Sequence, residues 1–158
     1  MVDFQAARRT IGVKFFMDTN ILLYTLDRND PRKAQKASAI VRDLSPRNAL
    51  VISLQVLNEM TNILLNKRAD LAHGSVREII ESLVPLGDRP LSWEIIEVGW
   101  AVRALTGYGW WDSLLVATAH LEKCDYFLSE DMQHERTVMG VTILNPFLTS
   151  PLDLPFPN

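Results

Sequence analysis

Four carboxylates stand at places where apolar runs break off. Asp18 ends "VKFFMD", and Glu59 lies six residues past Ser53, which closes "ALVIS". Asp112 follows "GYGWW", and Asp131 closes "YFLSED". They are separated by 41, 53 and 19 residues, so only a fold that keeps returning the chain to one edge brings them together. Carboxylates held within a few ångströms repel, and some take up protons unless a cation neutralises them. A hard divalent ion with oxygen ligands does this; Mg²⁺ typically binds through one or two carboxylates and keeps several waters. Metal binding is therefore the chemistry open to these four acids as a group.

Singly, each acid has a plainer role. Asp18 and Asp112 could cap helices, their oxygens accepting from N–H groups of the first turn. Glu59 flanks the apolar face of its helix and could simply be exposed. Asp131 could be an ordinary turn residue. What matters is the elements that would position them.

"VKFFMD" and "ALVISL" read as short buried strands, and "DYFLS" and "GVTILNP" as two more near the end of the chain. Helical segments lie between them. "NILLYTLDR" begins directly after Asp18. "DPRKAQKASAIVRDL" opens with Asp30 as N-cap and Pro31 at the first helical position,. "QVLNEMTNILLNKR" places Val56, Leu57, Met60, Ile63 and Leu64 on one face,. "GSVREIIESLVPL" and "SWEIIEVGWAVRALTG" are divided by the breaker "GDRP",. "DSLLVATAHLEKC" has so few polar positions that most of its sides should be buried,. The tail "TSPLDLPFPN" has three prolines and should be irregular. Strands that are continuous apolar runs, alternating with helices, argue for an α/β fold with a parallel sheet covered on both faces. In such sheets functional groups collect beyond the carboxyl ends of the strands, which is where Asp18 falls.

The 158 residues suit one domain with a real core,. No apolar run approaches the length of about 20 residues that spans a bilayer, and Lys14 interrupts the opening segment before a secretory signal develops,. Cys124 is alone, which excludes a disulfide framework or a cysteine-based zinc site within the chain,. A reducing cytoplasm is the simplest location. The net charge of −3 is unevenly spread: bases exceed acids by four in residues 1–79 and fall short by seven in 80–158. Such asymmetry can set a basic rim beside an acidic cleft, although an uneven solvated surface gives the same totals.

Taken in order, these segments resemble a family. "FFMDTNILLY", "ISLQVLNE", "GWWDSLLVATA" and "DYFLSEDMQHERTVMGVTILNPF" are similar to the motifs of PIN domains, most closely the single-domain VapC-type toxin ribonucleases. "DTN" by itself is weak; the ordered set is specific and runs from about Lys14 to Phe147. The resemblance implies a three-layer α/β/α sandwich with a parallel central sheet of about four to five strands. Residues 13–147 would form the nuclease domain, 1–12 an N-terminal extension and 148–158 an irregular tail. It further implies Mg²⁺- or Mn²⁺-dependent cleavage of RNA phosphodiesters, with Asp18, Glu59, Asp112 and Asp131 as metal-binding and catalytic residues. Thr19 and Asn20 fall at supporting polar positions. Glu130 adjoins Asp131 and either could point inward; Asp131 is preferred. A cognate antitoxin peptide and homodimerisation are also implied.

Contacts to RNA would need cations and aromatic rings near the acids. Arg28 and Lys33 are candidates, as are Arg32, Lys36, Lys67 and Arg68, though each also suits a solvated helix face or a helix C-terminus. Trp110 or Trp111 could stack on an unpaired base or be a buried residue fixing the helix start, and Tyr24 carries the same ambiguity. His120 lies eight positions beyond Asp112, about 12 Å along a helix axis, and reads as a packed residue; His134 and His73 read as loop residues. Two other functions compete. A non-catalytic RNA-binding or scaffold protein could use the same fold. An aspartate-nucleophile phosphatase would want a second Asp two positions after Asp18, where Asn20 stands.

Overall fold

The computed structural model describes residues 12–154. The extension expected over residues 1–12 therefore lies, but for Gly12, outside the described residues, as does the end of the tail. Five strands form one sheet: β1 (Phe15–Met17), β2 (Leu50–Val51), β3 (Tyr126–Leu128), β4 (Thr137–Val138) and β5 (Val141–Leu144). Their order is β2-β1-β3-β5-β4. The β1–β2, β1–β3 and β3–β5 pairs are parallel, and β4 runs antiparallel to β5 at the edge.

The central strands are the apolar runs of the sequence, and both their faces are covered. Phe15, Phe16, Met17 and Phe127 are fully buried. Parallel register sets Phe15 beside Tyr126 and Phe16 beside Phe127, and each pair stacks, with ring centroids 5.2 and 5.4 Å apart. These rings anchor the middle of the sheet, since aromatic pairs add about 0.5–1.5 kcal/mol beyond the area they bury.

Among the described residues six helices flank the sheet: α1 (Thr19–Tyr24), α2 (Pro31–Leu44), α3 (Leu54–Lys67), α4 (His73–Leu83), α5 (Trp93–Thr106) and α6 (Trp110–Leu121). The result is the expected three-layer α/β/α sandwich. Asp30 caps α2 through the Lys33 amide at 3.1 Å, and Pro31 is its first residue. His73 opens α4 instead of lying in a loop. Gly107 ends α5 with a left-handed φ of 72°. Helices α5 and α6 approach closely at Gly99, where an added Cβ would lie 2.9 Å from Leu114 Cδ2. Over its described part the tail makes one 3-10 turn, Pro151–Asp153, because Ser150 Oγ accepts from the Leu152 amide and Pro151 is buried.

After β1 the chain returns to form β2 on one side, and β3 then enters on the other. That reversal makes the carboxyl ends of β1 and β3 the switch point of the sheet, the place where open α/β sheets bind ligands.

Candidate metal-binding active site

Asp18 leaves β1 still in the sheet, its amide donating to Leu128 O at 3.0 Å. Its carboxylate then turns back over the first turn of α1. Oδ1 accepts from the Thr19 amide at 2.7 Å and Oδ2 from Ser129 Oγ at 3.1 Å. Asp18 thus does cap α1, and capping is compatible with a site role. Burial is the main influence on its acidity. Together with the charges of Asp112 and Glu59 it outweighs the two hydrogen bonds and pushes the carboxyl up to about 7.

Thr19 and Asn20 reach sideways to the other acids. Thr19, itself buried, donates from Oγ1 to Glu59 Oε2 at 2.8 Å. The other oxygen, Glu59 Oε1, accepts from Gln55 Nε2 at 3.0 Å, and the same Gln55 nitrogen donates to Trp111 O at 3.1 Å. Asn20 Nδ2 donates to Asp131 Oδ2 at 2.6 Å. The Asp131 amide donates to Ser129 Oγ at 3.2 Å.

Asp112 sits in the first turn of α6, whose N-cap is Gly109. It is therefore not the helix cap considered from sequence, because α6 starts two residues earlier, at Trp110. Its carboxyl is raised, first by burial and then by the charges of Glu59 and Asp131. Asp112 on α6 thus lies within electrostatic reach of Asp18, of Glu59 on α3 and of Asp131 after β3. Among the described residues, none of the four has an ion-pair partner.

Glu130 points elsewhere. It accepts from the Tyr24 hydroxyl at 2.5 Å and pairs with the Lys33 ammonium. Burial raises its carboxyl, but these two partners outweigh burial and hold it below the usual range. Of the two neighbouring acids it is Asp131 that meets Asn20 and acts on Asp112.

The substrate candidates are dispersed. Arg28 is exposed and lies 4.0 Å from Asp70. Lys33 is taken up by Glu130. Trp110 packs on Trp100 with centroids 4.9 Å apart, whereas Trp111 is 63% exposed and so does not fix the helix start by burial. His120 is packed, its Nδ1 2.8 Å from Met139 O, and His134 Nδ1 accepts from the Asn145 amide at 2.9 Å. Ser129 and Gln55 are members of the site not expected from the sequence. Gln55 carries a legible signal, since it precedes Glu59 by one helical turn. Ser129 has only its place in "LSED".

The family model described as "PIN domain" matches residues 15–138. The chain belongs to the PIN domain family. Three solved structures share this PIN fold. A toxin–antitoxin complex from Klebsiella pneumoniae aligns with a TM-score of 0.61 at 18% identity, covering 82% of this chain and 96% of that one. FitAcB from Neisseria gonorrhoeae aligns at 0.61 and 17% identity, covering 84% and 98%. VapC20 from Mycobacterium tuberculosis, a sarcin-ricin-loop-cleaving toxin, aligns at 0.57 and 18% identity, covering 75% and 92%. No curated protein matches the chain in sequence.

The donor set of this PIN domain suits a hard divalent cation: all four groups are carboxylates, and burial, aided by the charges of their neighbours, raises two of them,. Among the described residues no three His, Cys, Asp or Glu side chains close around a single point. Thr19, Ser129, Asn20 and Gln55 instead donate to oxygens of Glu59, Asp18 and Asp131. A site of one or two carboxylates completed by water, as Mg²⁺ prefers, fits this arrangement; an all-protein cage does not.

Proposed function

We propose that this PIN domain is an endoribonuclease dependent on Mg²⁺ or Mn²⁺ and the toxin of a toxin–antitoxin pair. The observation that carries the reading is the group of four carboxylates linked through Asp112 near the switch point of the sheet, with no described cation beside them. Asp18 and Asp112 would hold the ion, with Glu59 and Asp131 completing the site directly or through water. A bound divalent ion lowers the pKa of a coordinated water and offsets charge on phosphoryl oxygens. The chain's own residues do the positioning. Thr19 and Gln55 fix both oxygens of Glu59, Asn20 holds one oxygen of Asp131, and Ser129 holds Asp18. Burial of Asp18 leaves its carboxyl partly protonated near neutrality, so that cation binding would release part of a proton.

The solved structures named above include a toxin–antitoxin complex and a sarcin-ricin-loop-cleaving toxin, which supports RNA as substrate and a cognate antitoxin as partner. A groove between α1 and α3, lined by Asn20, Leu23, Tyr24, Asp27, Ile63 and Lys67, opens beside Asn20. It would suit an amphipathic inhibitor helix whose basic side chain reaches the carboxylates. Homodimerisation belongs to the same proposal. The phosphatase alternative weakens further, because Asn20 is committed to Asp131 as a donor.

The test is cleavage of total RNA by purified protein with Mg²⁺ or Mn²⁺, beside Asp18→Asn and Asp112→Asn. Expected is cutting by the wild type alone, with 5′-phosphate ends. Full cutting by both variants overturns the metal mechanism. Failure of the wild type to bind Mn²⁺ in calorimetry would transfer the protein to the non-catalytic scaffold reading.

A further inference from the structure

Three consecutive side chains after β3 grip three different parts of the motif that follows β1. Ser129 donates to Asp18, Glu130 accepts from Tyr24, and Asp131 accepts from Asn20. Only the middle grip draws on α2, through Lys33, whose ammonium pairs with Glu130 and lies 3.3 Å from the Tyr24 hydroxyl. The ammonium also stands 4.8 Å from the Tyr24 ring centroid and 5.2 Å from that of Phe147, and the two rings meet edge to face at 5.2 Å. Lys33 is thus held by a carboxylate, a hydroxyl and two aromatic faces. A cation so engaged is poorly available to a phosphate.

We propose that Lys33 and Glu130 are positioning residues for Asp131, and that Lys33 acts on the reaction through Glu130 without touching RNA. The backbone between Glu130 and Asp131 is one peptide long. Fixing Glu130 against α1 and α2 therefore limits the directions open to Asp131 and favours the one that meets Asn20. Glu130 also answers Lys33 in charge, so the pair leaves no net charge beside the acids. The inference rests on the metal-dependent nuclease reading of the site.

The experiment uses the full chain and compares the wild type with Lys33→Met, Lys33→Arg, Glu130→Gln and the Lys33→Met/Glu130→Gln double variant. Mn²⁺ affinity is read by titration calorimetry and RNA cleavage as kcat and KM. Altered outer partners of a metal site typically cost 10–100-fold in affinity or activity. The expected result is about a tenfold weaker Mn²⁺ affinity in Lys33→Met and Glu130→Gln, a lower kcat with KM little changed, and substantial recovery in Lys33→Arg. The double variant should be no worse than either single one, because residues acting as a unit are not additive.

Mn²⁺ affinity within twofold of wild type in both single variants would overturn the proposal. So would a rise in KM from Lys33→Met that persists in the Glu130→Gln background and weakens with salt, the mark of a direct phosphate contact. Should Lys33→Met fail to fold, Glu130→Gln alone carries the same expectation, since it retains a hydrogen-bonding side chain for Tyr24. A wild type that neither binds Mn²⁺ nor cuts RNA would remove the nuclease reading itself, whatever the variants do.

Discussion

Thr19 Oγ1 donates to Glu59 Oε2 across 2.8 Å, joining the first turn after β1 to the middle of α3, forty residues on. The hydroxyl is buried, so its removal leaves a carboxylate oxygen without that donor beside two other acids. Thr19→Val keeps the shape and deletes the bond. The expected outcome is a loss of about 1–3 kcal/mol in denaturant unfolding and a drop in RNA cleavage of about tenfold or more. Thr19→Ser should restore much of both. Unchanged cleavage in Thr19→Val would mean that Glu59 needs no such orientation.

Asp18 sets a pH dependence with a definite sign. Its carboxyl titrates at about 7 in the folded protein against an ordinary 3.8. Between those values the folded chain holds a proton that the unfolded chain has lost. The stability it contributes is therefore full below about pH 4, declines as pH rises toward 7, and stays lost above that. At about 1.4 kcal/mol per unit, the loss is at most roughly 4 kcal/mol. Asp18→Asn preserves an acceptor for the Thr19 amide and can face Ser129, yet carries no charge. The variant should be more stable than wild type at pH 8, and the difference should shrink toward zero at pH 4. Chemical denaturation at the two pH values measures this, and an equal difference at both would contradict it.

Much of this arrangement was legible in the chain, and what was not has identifiable causes. The four parallel-sheet strands announced themselves as apolar runs, and the register that stacks Phe16 on Phe127 follows from pairing them. Edge strand β4 was not anticipated, because two residues carry no periodicity. Its hairpin to β5 turns on Met139 and Gly140, both with positive φ of 49° and 81°, and "MG" lacks the Asn or Asp that usually marks such a turn. Pattern alone places Asp18 and Asp131 just beyond strands, and Glu59 and Asp112 on helices. The choice between Glu130 and Asp131 was a weaker inference, because it depends on where Lys33 and Tyr24 lie. A partner 97 residues away leaves no local trace.

The platform beneath the site has its own sensitive point at Gly87. Its φ is 151°, and a Cβ built there would sit 2.2 Å from Ile52 O. That carbonyl lies directly beyond β2, one residue before Ser53 and the start of α3. Backbone cannot yield as a flexible side chain does, so Gly87→Ala should cost roughly 3 kcal/mol or more. The melting temperature should fall by about 10 °C or more. A melting temperature within 2 °C of wild type would show that the segment relaxes freely.

Metal removal offers a direct reading of the four carboxylates. If a divalent ion binds only the folded chain, a concentration one hundred times Kd stabilises it by about 2.7 kcal/mol. Mn²⁺ should therefore raise the melting temperature of wild type at pH 8 by several degrees, and a chelator should reverse the rise. At pH 5 the gain should be smaller, since the ion must compete with the proton on Asp18. Asp112→Asn should blunt the response at both pH values. A Mn²⁺ effect equal in Asp112→Asn and wild type would place the ion elsewhere.

Gln55 provides the last test, because one amide nitrogen serves two acceptors. It donates to Glu59 Oε1 at 3.0 Å and to Trp111 O at 3.1 Å, so it ties α3 to the first turn of α6 next to Asp112. Gln55→Leu removes both bonds from a partly exposed position, where each is worth about 0.5–1.5 kcal/mol. Stability should fall by about 1–3 kcal/mol. Cleavage should fall by about tenfold, because Glu59 and the first turn of α6 beside Asp112 lose their shared reference. Gln55→Glu should be worse than Gln55→Leu, since it sets a fifth negative charge against Glu59 and a carbonyl. Equal activity in the two variants would show that the amide acts by packing alone.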